Sequence, residues 1–211
     1  MTDLESFLSD VTGVVHVGAN VGQEIPQYHS FDLDVIWIEP FSEAYEILEH
    51  SLQGYPKQRC FKELITDVDD KIYTFYISNN GGCSSSIFDI EEHRYCWPDV
   101  TMSYVMLIPS ITLTTLFTYE HIDPLMYDGL VLDTQGSELL VLMGALPILS
   151  GFKYIKVEVA DFEAYAGGCQ LKDIEAFMKL HGYIEYIKYE MPTDGYHPKG
   201  GHYYDIVYKR N

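Results

Sequence analysis

Basic residues are scarce in this chain. Its 211 residues hold only 13 Lys and Arg against 32 Asp and Glu, a formal net charge of −19 with histidine neutral. A surface so negative repels phosphate backbones and anionic lipid, which argues against nucleic-acid and membrane partners and for a small or neutral substrate. Long apolar runs are missing as well: the stretch from Leu139 to Leu149 is broken by Gly144 and Pro147, and a membrane span needs roughly 18 uninterrupted residues. The four cysteines, at positions 60, 83, 96 and 169, form no Cys-x-x-Cys pair. They read as reduced core thiols rather than as a disulfide or redox framework. The opening MTDLESFLSD is acidic where a secretory leader is basic, so the expected location is cytoplasmic. No histidines stand in HxH or i, i+4 pairs, which argues against a dedicated transition-metal site.

What the chain does have is core material. It is 47% hydrophobic and 21% charged, enough for one domain over residues 1–211 and too apolar for disorder. After a short helix from Asp3 to Ser9, Val14 to Val17 reads as a strand running into Gly18-Ala19-Asn20-Val21-Gly22. Val35 to Ile38 is a second strand ending at Glu39-Pro40, with a short helix containing Pro26 between the two. Ser42 to Leu52 carries an apolar helical face of Ala44, Tyr45, Ile47, Leu48 and Leu52, begun by Ser42. Cys60 to Ile65 and Lys71 to Ser78 read as strands, Asn79 to Gly82 as a turn into Ser84-Ser85-Ser86, and residues 89–104 as an exposed excursion. Further on, Gly129 to Asp133 is a buried strand ending at an acid, Ser137 to Leu149 one helix, and Tyr154 to Val157 a strand ending at Glu158. Leu171 to His181 is a helix, and Tyr183 to Lys188 with Tyr203 to Tyr208 form a terminal hairpin.

Such alternation implies an α/β fold: a mostly parallel sheet with helices on both faces and a C-terminal antiparallel hairpin. Ligands of such sheets bind beyond the carboxyl ends of the strands. Glu39, Asp133 and Glu158 stand at that edge.

The first turn, V-H-V-G-A-N-V-G, departs from the dinucleotide pattern G-x-G-x-x-G, with Asn20 at the second glycine and Gln23 at the third. That disfavours a pyrophosphate. Glu39 lies 21 positions after Gly18, where an acid accepts hydrogen bonds from ribose hydroxyls and repels a 2′-phosphate. A ribose without a pyrophosphate points to S-adenosylmethionine over NAD, and no Tyr-x-x-x-Lys arrangement supports a nicotinamide oxidoreductase.

Leu132 to Ala145, L-D-T-Q-G-S-E-L-L-V-L-M-G-A, resembles the D-x-x-G-x-E-x-x-x-L-x-G-A signature of the FkbM family of S-adenosylmethionine-dependent methyltransferases. The H-V-G-A-N-x-G turn, the I-E-P strand end, the serine run and I-T-L-T-T-L occur in the family's order, so the likeness spans Val14 to Glu158. The last strand, Tyr203 to Arg210, is similar to the family's ending. The chain departs at His16, where the family usually has Asp, and at Thr115, where Asp is frequent.

The resemblance implies a single Rossmann-like, class I methyltransferase domain. Carried over by position, Gly18, Asn20 and Gly22 would shape the cofactor turn and Glu39 would hold the ribose. Phe41 and the Thr66-Asp67 strand end would lie near the adenine, and Asp133, Thr134 and Gln135 beside the methionine portion and the transferred methyl. The implied reaction is methyl transfer to a hydroxyl of a sugar or glycan. Candidates for the base are Asp133, then Glu158, then His202 on a tail loop folded over the pocket. Converging acids would also suit a hard cation such as Mg²⁺. Tyr95, Trp97, Tyr104, Tyr165, Tyr196 and Tyr203 fall in excursions beside the site, and aromatic rings beside acids suit the faces and hydroxyls of a sugar acceptor. The competing reading is a catalytically silent domain that binds cofactor or a partner protein, and His16 is the feature that favours it.

Overall fold

A computed structural model describes residues 3–211. Its strands are β1 (Gly13–Val17), β2 (Asp34–Ile38), β3 (Gln58–Phe61), β4 (Leu64–Ile65), β5 (Ile72–Ser78), β6 (Met102–Ile111), β7 (Gly129–Leu132), β8 (Tyr154–Ala160), β9 (Tyr183–Glu190) and β10 (Tyr203–Arg210). Its α-helices are α1 (Ile25–Ser30), α2 (Ser42–Ser51), α3 (His93–Cys96), α4 (Leu113–Tyr119), α5 (Glu138–Gly144), α6 (Leu146–Leu149) and α7 (Leu171–Leu180), with 3₁₀ turns at Asp3–Asp10 and Pro124–Met126. Among the described residues no helix is long and apolar enough to cross a membrane.

Seven strands form one sheet in the order β3-β2-β1-β7-β8-β10-β9. The first five are parallel, and β10 runs antiparallel to both β8 and β9. Chain order therefore reverses between β1 and β7, the position at which open α/β sheets form their ligand crevice. Alternate strand residues supply two cores. Val15, Val17, Ile36, Leu130, Leu132, Ile155 and Val157 pack with α4, α5 and α7 on one face. On the other, Val14, Val35, Trp37, Val131 and Tyr154 pack with Phe7, Leu8, Tyr28 and Leu48. A second sheet, β4-β6-β5, is inserted between β3 and β7 in the chain.

Several elements differ from the sequence reading. Cys60 to Ile65 is two strands, because Phe61 pairs with Ile38 in the large sheet whereas Leu64 and Ile65 pair with Ser110 and Ile111 in the small one. The stretch 89–104 is ordered: His93 and Cys96 of α3 are buried beneath Phe162, Tyr165 and Tyr203, and β6 begins at Met102. Its strand signal is weak because Tyr104, Val105 and Leu107 point outward. The helix expected from Ser137 to Leu149 divides after Gly144, where a Cβ would lie 2.1 Å from the Thr66 carbonyl oxygen. The helix α2 begins at Ser42 as expected, but Ile47 is 53% exposed rather than on its packed face. β8 continues to Ala160, so Glu158 lies within the strand instead of ending it.

Candidate active site

The turn after β1 is built around Glu39. Its two carboxylate oxygens accept the backbone N–H of Asn20 and of Phe41, each at 2.8 Å, so one side chain ties the first turn to the start of α2. Asn20 takes a left-handed conformation, φ 45°, and its side-chain amide donates to the Gly81 carbonyl. The loop that follows β5 is thereby pinned over the turn. Within that loop Ser78, Asn80, Ser84 and Ser85 satisfy one another, and the Ser86 hydroxyl donates to the Gln135 carbonyl at 2.7 Å. The serine run is thus a roof joined to the turn after β7.

That second turn is organised by Glu138, 1% exposed, which accepts the backbone N–H groups of Thr134 and Gly136 and a contact from the Cys169 thiol. Its role is structural. Ahead of it, Asp133 follows β7 directly, and the register sets three acids in a lateral row. Leu132 pairs with Val157, so Asp133 comes level with Glu158, and Glu158 pairs with Asp205 of β10. Two residues back along β8, Lys156 forms an ion pair with Asp205 at 3.1 Å. Gln135 closes the group: its amide donates to Asp133 and, at 3.1 Å, to Glu158, and its carbonyl oxygen accepts from the Tyr165 hydroxyl.

Burial dominates the electrostatics. It raises Glu39 to about 7 against the pull of the two backbone N–H groups. Burial, and then the facing Glu158, drives Asp133 well above the usual carboxylate range. Burial and Asp205 raise Glu158 to about 7, while Gln135 and Lys156 act the other way. Burial works against the Lys156 ammonium too, but Asp205, Asp133 and Glu158 hold its pKa above the ordinary value. Several buried acids whose pKa values are raised by burial and by one another, gathered beside a cleft, mark a candidate functional site.

Two spaces meet here. A narrow cleft over β1 and β2 is lined by Gly18, Asn20, Glu39, Glu63, Ile65, Phe75, Gly82, Cys83, Asp133, Thr134 and Gln135, among others, and by no lysine or arginine. On the opposite face of the sheet lies a cavity of about 800 Å³ between the N-terminal 3₁₀ turn and β8, β10 and β9, lined by Phe7, His16, Glu24, Tyr28, Lys156, Glu158, Tyr189 and Asp205. Among the described residues Asp133 alone lines both.

A family model described as the methyltransferase FkbM domain matches residues 16–185. The chain belongs to the FkbM methyltransferase family. Solved structures similar to it include magnesium protoporphyrin IX methyltransferase from Synechocystis PCC 6803 with bound SAM, at 9% identity and TM-score 0.54, over 99% of this chain and 78% of that one. Another is Burkholderia thailandensis 1,6-didemethyltoxoflavin-N1-methyltransferase, at 10% identity and TM-score 0.51, over 99% and 75%. A third is precorrin-6y C5,15-methyltransferase from Geobacter metallireducens GS-15, at 8% identity and TM-score 0.51, over 99% and 87%. At such identity they establish the Rossmann-like methyltransferase fold. No individual curated protein matches the chain.

The FkbM motifs converge, with exceptions. Gly18, Asn20, Glu39, Asp133, Thr134 and Gln135 all line the cleft. Gly22 packs against Ile25 and Leu48, and the Phe41 ring is buried in the small-sheet core against Gly82. Asp67 is exposed and outside the cleft, because the chain turns away after β4. Glu63, just before that strand, lines the cleft instead. His202 does not fold over the site: its ring pairs with Glu190 at 2.9 Å and its N–H with Asp161. Of the six aromatics, Tyr165 and Tyr203 are buried beside Gln135 and Glu158, while Tyr196 is 77% exposed and Tyr104 reaches Glu43. Among the described residues no group of three or more His, Cys, Asp or Glu is placed so that it could hold a metal ion. Sequence reasoning missed Lys156 and Asp205. The only local signal for either was polarity inside an otherwise apolar strand.

Proposed function

We propose that the protein transfers a methyl group to a hydroxyl of a sugar or glycan, with the methyl donor in the cleft, the acceptor in the cavity, and Asp133 between them. The position of Asp133 in the lining of both spaces carries this reading. The donor is S-adenosylmethionine, which when bound supplies an electrophilic methyl group on a positively charged sulfur. The cleft's chemistry fits it: Glu39 retains lone pairs for ribose hydroxyls, Asp133 offers a carboxylate to a cation, and the absence of basic side chains from the lining suits a ligand without phosphate. In the cavity, His16 Nδ1 is paired with the Tyr28 hydroxyl at 3.1 Å, and burial holds that imidazole down to about 4, hence neutral. With Lys156, Asp205 and Tyr189 it provides polar groups among apolar walls, as a neutral small-molecule or glycan acceptor requires. The −19 charge disfavours nucleic acid and membrane surfaces as acceptors, and four free cysteines suit the cytoplasm.

The residues' work is to fix the hydroxyl, exclude water and take its proton. Positioning alone contributes up to roughly 7–11 kcal/mol in model reactions. A carboxyl near 7, as at Glu158, is suited to accept a proton at neutral pH, directly or through Asp133 beside it. The test is mass spectrometry of a mono- and oligosaccharide panel after incubation with methyl-labelled S-adenosylmethionine, followed by linkage analysis. Label on a sugar oxygen is the expected result. Label confined to nitrogen or carbon acceptors would displace the hydroxyl reading, and tight cofactor binding without transfer to any acceptor would favour the silent one.

A further inference from the structure

Gln135 is more strongly constrained than a residue that merely touches a cofactor. Its backbone is left-handed, φ 55°, a conformation that costs a non-glycine residue energy and persists where the surroundings enforce it. The Ser86 hydroxyl holds its carbonyl. Its side chain is held by the Tyr165 hydroxyl, and Tyr165 is itself 2% exposed and packed on the His93 ring, which pairs with the Tyr203 hydroxyl at 2.6 Å. A hydroxyl donating to the amide oxygen settles the orientation of the amide. The nitrogen must then face the acids, and its two protons go to Asp133 and Glu158.

We propose that Gln135 is a positioning residue, whose amide, locked by Tyr165, holds the Asp133 and Glu158 carboxyls side by side as one proton-accepting unit facing the cavity. This rests on the transferase reading for its purpose and on the hydrogen bonds for its geometry. Two like charges at neighbouring sheet positions repel, and a donor shared between them offsets that repulsion. The remaining charged neighbours do not replace it: Glu138 from α5 and Asp205 from β10 add to the repulsion, Cys83 of the roof loop is a neutral thiol, and Lys156, ion-paired with Asp205, favours the ionised Glu158 but does not bridge the two acids. Because the amide favours the ionised acids, its removal makes them hold their proton to higher pH.

Carbon-13 NMR of the side-chain carboxyls in the ligand-free protein reads this directly. Gln135→Leu should move the titration of the Asp133–Glu158 pair to higher pH, and Tyr165→Phe, which leaves the amide free to turn over, should move it the same way by less. In parallel, calorimetry gives the ratio of affinities for S-adenosylmethionine and S-adenosylhomocysteine. In the wild type the ratio should rise with pH as the pair ionises, and near neutrality it should fall about fivefold in Gln135→Leu, the size of one lost hydrogen bond. A merely structural role would weaken both ligands equally and leave the titration in place. An unmoved titration in folded Gln135→Leu, or in Tyr165→Phe if the former does not fold, overturns the proposal. A ratio flat with pH in the wild type beside a titration that does move would keep the clamp and sink the transferase reading instead.

Discussion

Gly18 has no side chain because the carbonyl of Asp133 occupies the place where one would begin: a Cβ there would lie 1.8 Å from that oxygen. The glycine that looked like an accommodation for a ligand is first an accommodation for the neighbouring turn, at the point where chain order reverses between β1 and β7. Its φ of +86° adds to the requirement. Gly18→Ala should therefore lower stability by about 2–4 kcal/mol, measured by urea unfolding, through backbone collision and strain together. Gly18→Val should lose S-adenosylhomocysteine binding as a consequence of displacing Asp133. A folded Gly18→Val variant with wild-type stability would contradict the contact.

Asp133→Asn keeps the shape of the side chain and removes its charge. If the carboxylate takes the acceptor's proton, kcat falls by roughly 10²–10⁴ with the fold intact. If it chiefly faces the sulfonium, affinity for S-adenosylmethionine falls more than affinity for the neutral-sulfur product. Stability should move the other way. A carboxyl whose pKa burial and Glu158 raise contributes stability at low pH that is lost as the pH climbs. The asparagine variant avoids that loss and should be more stable than wild type above neutrality. Equal activity and equal melting curves would reduce Asp133 to a strand end.

Glu39 gives a pH dependence of defined sign. Burial raises it from 4.5 to about 7, so the folded protein retains a proton that the unfolded chain has released. The carboxyl's contribution is complete below about 4.5 and is lost as the pH rises through about 7. Relative to Glu39→Gln, the wild type should lose stability across that window, by at most on the order of 3 kcal/mol. Ligand affinity should run oppositely, since the ionised carboxylate is the better acceptor for ribose hydroxyls. S-adenosylhomocysteine should bind more tightly at the alkaline end in wild type, and Glu39→Gln should flatten that rise. Calorimetry at the two ends of the window checks both signs.

His202→Ala should change little. The ring is 41% exposed and paired with Glu190, itself 59% exposed, and exposed pairs of this kind are worth under about 1 kcal/mol. Cofactor affinity and methyl transfer should match the wild type. A loss of kcat with unchanged melting would restore His202 to the list of bases.

The strands that end at Glu39 and Asp133, the two glycine-bearing turns and the terminal hairpin were legible because they rest on local signals, namely apolar period, turn chemistry and the spacing of Glu39 from Gly18. The family signature added the cofactor. What was not legible was lateral. Nothing near Asp205 in the sequence says that β10 inserts between β8 and β9 and sets it beside Glu158. Nothing near Tyr165 says that its hydroxyl reaches Gln135, 30 residues away. The same holds for the division of Cys60 to Ile65 between two sheets, for α3, buried by Phe162, Tyr165 and Tyr203 from far along the chain, and for β6, whose outward Tyr104, Val105 and Leu107 hide its period. The sequence by itself determined which residues end strands and which turns are tight, because those depend on neighbours along the chain. Which acids stand in one row, and which face of the sheet is left open as a cavity, was decided by strand order and register, and these follow from packing between segments far apart in the chain.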